Sequence, residues 1–375
     1  MDGNASSGWD SARQCVKLLL RNRDTLAQMR LQERINKELV VNATPSDGSQ
    51  EAPLKVFVGG DRSKVGKSSV CLGLLGSLLK LGYKPSELAY IKPATQCELP
   101  QLVTAWCVAK GISCVGIGPI VFYRGFTREF LKGNAGTSID LLNAASDAVA
   151  KLSMGKKVVI VDGVGYPAVG SICGVSNAQV AKTLEIPVLL VGKSGVGDAV
   201  DSFNLNETFF NAHGVTVLGA LFNRLPAEGF YSLENCKASV SLYFSRNGLS
   251  QPYGFVPETP GLGEAMAKAQ DEAREGREGE HNQQETETEG DMVNKERERT
   301  ADDFIEMFSS HVDVNRLLAD AREASKASSA SGTAAAAAAA ATVIAPVKPP
   351  ASGGSTAMTR EEIEKQAELA GASGG

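Results

Sequence analysis

From Pro53 to about Ala265 the chain alternates short apolar runs with stretches of helical periodicity. The run KVFVGG (55–60) leads into SSVCLGLLGSLLKLGY (68–83), and LAYIKP (88–93) follows. Further along come KKVVIVDGVG (156–165), NAQVAKTLEI (177–186), PVLLVGKSG (187–195), a helical stretch from Asp201 to His213, and VTVLGALFNR (215–224). The strand runs are continuous in Val, Ile and Leu, without polar alternation. Burial on both faces, as in a parallel sheet covered by helices, produces that pattern. Strand and helix repeated through about 210 residues predict an α/β fold.

Outside this stretch the texture changes. Residues 1–52 are polar with one amphipathic patch, Val16–Met29, and read as a partly helical N-terminal arm. Residues 53–267 form the α/β domain. Residues 268–300 hold hardly any large apolar side chain, so they predict a charged insertion, either disordered or a single exposed helix. Helical periodicity returns over 301–318, which predicts a C-terminal helix, 301–324, packed on the domain. From Ser325 to Gly375 the chain is rich in Ala, Ser, Gly and Pro, with eight consecutive alanines at 334–341, a low-complexity disordered tail.

Composition narrows the classes. Lys plus Arg number 38 against 43 Asp plus Glu, a net charge of −5, so no global excess of cation is present to neutralise a nucleic acid. Three histidines rule out a His-rich metal site. Seven dispersed cysteines without a CxxC pair read as reduced thiols. No apolar run of 18 or more predicts a membrane span, and the N-terminus lacks a signal-peptide layout. The expected compartment is the cytoplasm, with organellar targeting left open by the arginines within 11–39.

The chemistry concentrates after the first strand, in Gly60-Asp61-Arg62-Ser63-Lys64-Val65-Gly66-Lys67-Ser68-Ser69. Gly60 and Gly66 let the backbone wrap closely enough for successive N–H groups to face phosphate oxygens. A helix opening near Lys67 adds its positive end. Lys67 then neutralises the β/γ-phosphates, and the Ser68 hydroxyl is the expected Mg2+ ligand. Five residues rather than the usual four separate the two glycines. Asp162 ends an apolar strand just before Gly163-Val164-Gly165, where it can hold Mg2+ directly or through water. Lys92, followed by Pro93, ends another strand. It reads as a group that steadies a transferring phosphoryl or an anionic substrate, or else as a surface lysine.

With these pieces in order, the chain resembles the dethiobiotin synthetase-type branch of the P-loop NTPases. The resemblance rests on the long loop Gly60–Ser68, Lys92-Pro93, Asp162-Gly163-Val164-Gly165, Asn223-Arg224 and the Gly-Phe-Val-Pro of 254–257. Residues 311–318 resemble the closing helix of the phosphotransacetylase N-terminal domain and of the ATPase domain of cobyrinic acid a,c-diamide synthase. What the resemblance implies is a three-layer P-loop fold, a mostly parallel seven-stranded sheet flanked by helices, in a homodimer. It further implies ATP and Mg2+, with phosphoryl transfer to a carbamate or carboxylate and attack by an amine to close a ring or form an amide. The small-molecule partner is then a carboxylate or a diamine. By the same resemblance Lys67 and Lys92 stabilise the transferring phosphoryl, Ser68 and Asp162 bind Mg2+, Asn223 contacts adenine, and Pro257 lies in a nucleotide loop.

The chain departs from that branch in three places. Residues 94–103 lack the family's Asp-rich loop, and only Glu98 could replace its acidic metal ligand. Residues 121–131 are not part of the synthetase pattern, and 166–178 resemble stand-alone P-loop ATPases of the branch instead. Candidate substrate contacts are Thr95, Gln96, Arg124 and Arg128. The arginine pair reads either as a carboxylate grip or as two solvated side chains. Cys173 has no His or Glu partner motif and is not read as a nucleophile. Arg62 sits where a related group of dimerising ATPases carries a lysine that reaches across the dimer. Two functions follow: an ATP-dependent ligase, or an ATPase switch whose nucleotide state controls dimerisation or partner binding.

Overall fold

A computed structural model describes residues 52–96, 101–259, 261–262 and 287–339, with side chains of 287–298 and 328–339 left undescribed. The N-terminal arm, Glu98, and residues 268–286 and 340–375 lie outside the described residues.

In chain order the elements are β1 (Leu54–Gly60), α1 (Lys67–Lys80), β2 (Leu88–Ile91), β3 (Ala94–Thr95), α2 (Leu102–Ala109), β4 (Ser113–Val115) and β5 (Ile120–Val121). Then come α3 (Phe126–Leu131), α4 (Ser138–Ser153), β6 (Val158–Asp162), α5 (Asn177–Thr183), β7 (Val188–Gly192) and α6 (Gly197–Ala212). The series ends with β8 (Val217–Leu225), α7 (Leu233–Arg246), β9 (Gly254–Pro257), α8 (Glu287–His311) and α9 (Val314–Ala339). Seven strands form one sheet in the order β4-β2-β6-β1-β7-β8-β9, and β3 pairs separately with β5. Every neighbouring pair in both sheets is parallel. The architecture is the three-layer α/β P-loop arrangement.

The apolar runs serve two cores at once. Val56 and Val58 of β1 point into one cluster with Leu74, Leu78, Trp106, Phe304, Phe308 and Leu317, so α1, α2, α8 and α9 cover that face. Phe57 points the other way, to a cluster with Val149, Val180, Phe203, Phe210 and Phe244 from α4 to α7. Side chains still alternate with a period of two, but both sides are oil, which is why no polar alternation shows in the sequence.

The predicted C-terminal helix is two helices. Val312 makes an antiparallel bridge to Gly254, and Asp313 donates its N–H to the Tyr253 carbonyl (2.8 Å), so the chain turns between α8 and α9. Within the predicted 268–300 insertion, residues from Glu287 onward are the start of α8. The expected tail from Ser325 begins instead as the continuation of α9, to Ala339. Residues 330–375 make a separate unit, of which the described part is helical. On α1, a Cβ at Gly73 would run into the Phe308 ring, and one at Gly76 into Ile305. These two glycines let α8 lie directly against the helix that leaves the phosphate loop.

Candidate functional site

The carboxyl ends of β1, β2 and β6 converge at the centre of the sheet. After β1 the chain crosses to β2 on one side, and after β6 it crosses to β7 on the other. Such a reversal leaves a crevice at the strand ends. Register places the key groups level: Val58 pairs with Asp162, and Ile91, the residue before Lys92, pairs with Val161.

The loop between β1 and α1 is held from outside by side chains. Gly66 has φ of 89° and Lys64 has φ of 61°, both in the left-handed region. A Cβ at Gly66 would collide with the Asn223 amide. Asn223 donates from Nδ2 to the Val65 carbonyl (3.0 Å), and Arg224 from Nη1 to the Lys64 carbonyl (3.0 Å). From the other flank Asn206 donates to the Asp61 carbonyl (3.1 Å). The Asn223 amide nitrogen is thus turned onto the loop backbone, where it braces the turn into α1. Asp61 is buried, and burial pushes its carboxyl above the ordinary range, against the pull of Arg62. Arg62 ion-pairs with Asp61 (3.2 Å) and with Asp198 near the start of α6 (3.3 Å), so it folds back on its own chain.

Lys67 is 7% exposed and donates to the Gly165 carbonyl at 2.6 Å. Burial lowers its pKa to about 8, and nearby Lys92 pushes the same way while Asp162 opposes. A phosphate seated against the loop would restore the charged form.

Asp162 is fully buried. Its Oδ2 accepts from Ser68 Oγ (2.7 Å), Tyr90 OH (2.8 Å) and Lys92 Nζ (3.1 Å), the last a buried ion pair. Its Oδ1 is buried with no hydrogen-bond partner among the described residues. Ser68 Oγ also lies 2.8 Å from Gln101 Oε1, so its single proton serves one acceptor at a time. Lys92 Nζ reaches the same Gln101 oxygen at 3.3 Å. The donors are all oxygen: a hydroxyl, a carboxylate with one uncompensated oxygen, and an amide. That set suits a hard cation such as Mg2+ completed by phosphate and water oxygens. Among the described residues no group of three or more His, Cys, Asp or Glu could hold a metal unaided.

Tyr90 and Gln101 were not foreseen. Tyr90 carried a signal: it lies two residues before Lys92, so both side chains leave the strand on one face. Gln101 precedes α2 and carried none. Of the remaining predicted residues, Ser63 and Lys64 are exposed on the loop while Val65 and Ser69 are buried. Pro257 ends β9, half-buried, at the same edge of the sheet. Thr95 is buried in β3 and Gln96 is exposed. Arg124 and Arg128 are both exposed. They line a separate concavity together, although Arg124 precedes α3 rather than sharing its helix. Cys173 is buried, and burial raises its thiol pKa.

A family model described as an AAA domain (AAA_26) matches residues 55–265, more than half of the chain. The chain belongs to this family. It is a P-loop NTPase, and the family implies nucleotide and Mg2+ binding. Among solved structures, this NTPase is similar to chloroplast FtsY from Physcomitrella patens (17% identity, 65% of this chain and 74% of that one, TM-score 0.36). It is also similar to the cell division protein FtsY of Thermotoga maritima (16%, 60% and 70%, TM-score 0.36) and to apo McdA from Cyanthece (12%, 57% and 90%, TM-score 0.37). At these scores no ligand or partner transfers from them. Among the described residues, no helix is long and apolar enough to cross a membrane.

Proposed function

We propose that this P-loop NTPase is a Mg-ATP-dependent enzyme of the dethiobiotin synthetase type, which activates a carboxylate or carbamate by phosphoryl transfer. The supporting observation is the second buried lysine, Lys92, level with Asp162 at the strand ends and facing the Ser68 hydroxyl. Unlike buried Lys156, which donates to the Ser86 carbonyl and the Ser113 hydroxyl, Lys92 is tied to the carboxylate and the hydroxyl of this crevice, which supports a role toward a phosphoryl group.

The chain's own groups divide the work. Loop N–H groups and the start of α1 orient the phosphates. Lys67 leaves the Gly165 carbonyl for a phosphate oxygen, and Lys92 leaves Asp162 for the transferring group, where its charge offsets that on the equatorial oxygens. Tyr90 keeps its hydrogen bond to Asp162 and so holds the carboxylate after Lys92 has gone. Ser68 and Asp162 would hold Mg2+, which would supply neutralisation of phosphate charge. A carboxylate oxygen bonds to the γ-phosphorus as the bond to ADP breaks, and ADP leaves with the electron pair. An amine then attacks the acyl carbon, loses a proton and expels phosphate. The working unit in this reading is a homodimer.

The test is phosphate release from Mg-ATP by the full chain, alone and with 7,8-diaminononanoate plus bicarbonate, with Lys67→Ala as control. Stimulation by the diamine that vanishes in the variant supports the synthetase reading. Slow, Lys67-dependent hydrolysis indifferent to the diamine rejects that substrate. It favours the second reading, an ATPase switch, which has its own support in the Arg62–Asp198 pair: a nucleotide that drew Arg62 to its phosphates would release α6.

A further inference from the structure

The second small sheet sits on a core of its own. Ala94, Ile120, Phe126, Ala145, Val164, Cys173 and Val175 form a cluster separate from the two large ones, with Phe122, Tyr123 and Phe130 packed against it. The Phe126 ring lies 5.4 Å from both Phe122 and Tyr123 and 6.3 Å from Phe130. This aromatic pedestal fixes the start of α3, and Gly125, with φ of 99°, makes the turn into it. Arg124, Gly125, Thr127 and Arg128 then line a concavity of about 330 Å³.

Two facts make that concavity unusual in a chain of net charge −5. Both arginines are exposed, and neither guanidinium makes an ion pair or hydrogen bond among the described residues. The acid on the same short helix, Glu129, is engaged elsewhere: it accepts from Asn134 (2.8 Å) and Lys132 (2.9 Å), which hold its carboxyl below the ordinary range. The cap therefore keeps its own carboxylate away from its arginines.

The cap is also joined to the nucleotide site. A Cβ at Gly165, whose carbonyl holds Lys67, would touch Val169 and approach Ser63 of the phosphate loop (3.6 Å), and one at Gly170 would lie 3.1 Å from the Phe122 ring. Phe122 in turn donates its N–H to the Thr95 carbonyl (2.8 Å), three residues beyond Lys92. Asn177 clamps the connecting loop, donating to the Val164 and Tyr166 carbonyls and accepting from the Val164 N–H.

From this arrangement we infer that the Arg124–Arg128 concavity is an oxyanion site, built to take the carboxylate or phosphate group of a small-molecule ligand between two guanidiniums. Its role as the acceptor's anchor rests on the phosphoryl-transfer reading; its capacity to bind an oxyanion does not.

The test uses the full chain carrying Lys67→Ala, which silences phosphate binding at the loop, titrated calorimetrically at low ionic strength with succinate, glutarate and inorganic phosphate. Arg124→Ala/Arg128→Ala and Arg124→Lys/Arg128→Lys are made in the same background, with thermal midpoints recorded. The site predicts saturable binding of at least one probe, weakened about 10-fold or more in the alanine pair and partly kept in the lysine pair, with the midpoint unmoved. Carboxylate binding without phosphate binding names a carboxylate ligand, and the reverse names a phosphoryl one. No saturable binding, or equal binding in the alanine pair, overturns the site. Nucleotide affinity of the chain with Lys67 intact is read in parallel. If it is retained while anion binding is absent, this inference fails alone; if it is absent while anions bind, the function proposed above fails and the site stands.

Discussion

The nucleotide crevice and the arginine cap lie on one molecule but treat charge in opposite ways. In the crevice, Lys67, Lys92 and Asp162 are withdrawn from water and tied to Gly165, Gln101, Ser68 and Tyr90. On the cap, Arg124 and Arg128 stand in solvent with no such ties among the described residues. The crevice is set before its ligand arrives, and ligand must displace internal bonds to enter it. The cap has nothing to displace. Preorganisation gives geometric precision for the step that makes and breaks bonds, whereas an exposed pair of cations gives capture with little commitment.

The largest break in that comparison is Lys67→Ala. Removing the buried cation should weaken binding of a fluorescent ATP analogue by about 100-fold or more, since charge-assisted contacts to phosphate are the strong ones. An equilibrium titration reads this, and an unchanged affinity would remove Lys67 from the phosphate site. Next is pH. The free-protein pKa of Lys67 is about 8, and nucleotide binding favours its protonated form. The Lys67 contribution to affinity should therefore be full below pH 8 and fall as pH rises through it, by about tenfold per unit until the bound-state pKa is reached. The unfolded chain holds this proton up to its ordinary, higher pKa, so the same group makes the free protein more stable as pH climbs from 8 toward that value.

Tyr90→Phe comes third. It removes one of three donors from a buried carboxylate oxygen, and urea unfolding should show a loss of about 1.5–3 kcal/mol. A loss below about 0.5 kcal/mol would mean that the hydroxyl does not hold Asp162. The smallest effect belongs to the cap. Arg124→Ala/Arg128→Ala should leave unfolding free energy within about 0.5 kcal/mol of the parent, because neither side chain has a hydrogen-bond or ion-pair partner to lose among the described residues. A clear destabilisation would show that the arginines are structural and erase the contrast with the crevice.

Some of this contrast was legible in the sequence. Gly60 to Ser68, Lys92 and Asp162 could be read because each stands at a strand end beside residues with the right chemistry, a local signature. Tyr90 and Gln101 could not be assigned. Their roles depend on β2 lying beside β6 in one register and on α2 beginning over Ser68, both products of non-local pairing. Asn223 was recognised as a site residue, yet its direction, toward the Val65 carbonyl, needed the third dimension. The break at Val312–Asp313 was hidden for the same reason. Helical periodicity runs across it, although Asp313, which accepts from the Arg316 N–H and caps α9, was a local signal; the bridge to Gly254 and Tyr253, far back in the chain, was not. The arginine pair was seen, but the aromatic pedestal beneath it and the diversion of Glu129 were not.

Gly73 and Gly76 carry a last consequence. Because α8 is seated on them through Phe308 and Ile305, and Val312 just past its end is bridged to Gly254, a segment far along the chain is keyed to the helix that leaves the phosphate loop. Either glycine is therefore a place where a single added methyl group, remote from the nucleotide site, would pry α8 away from that helix.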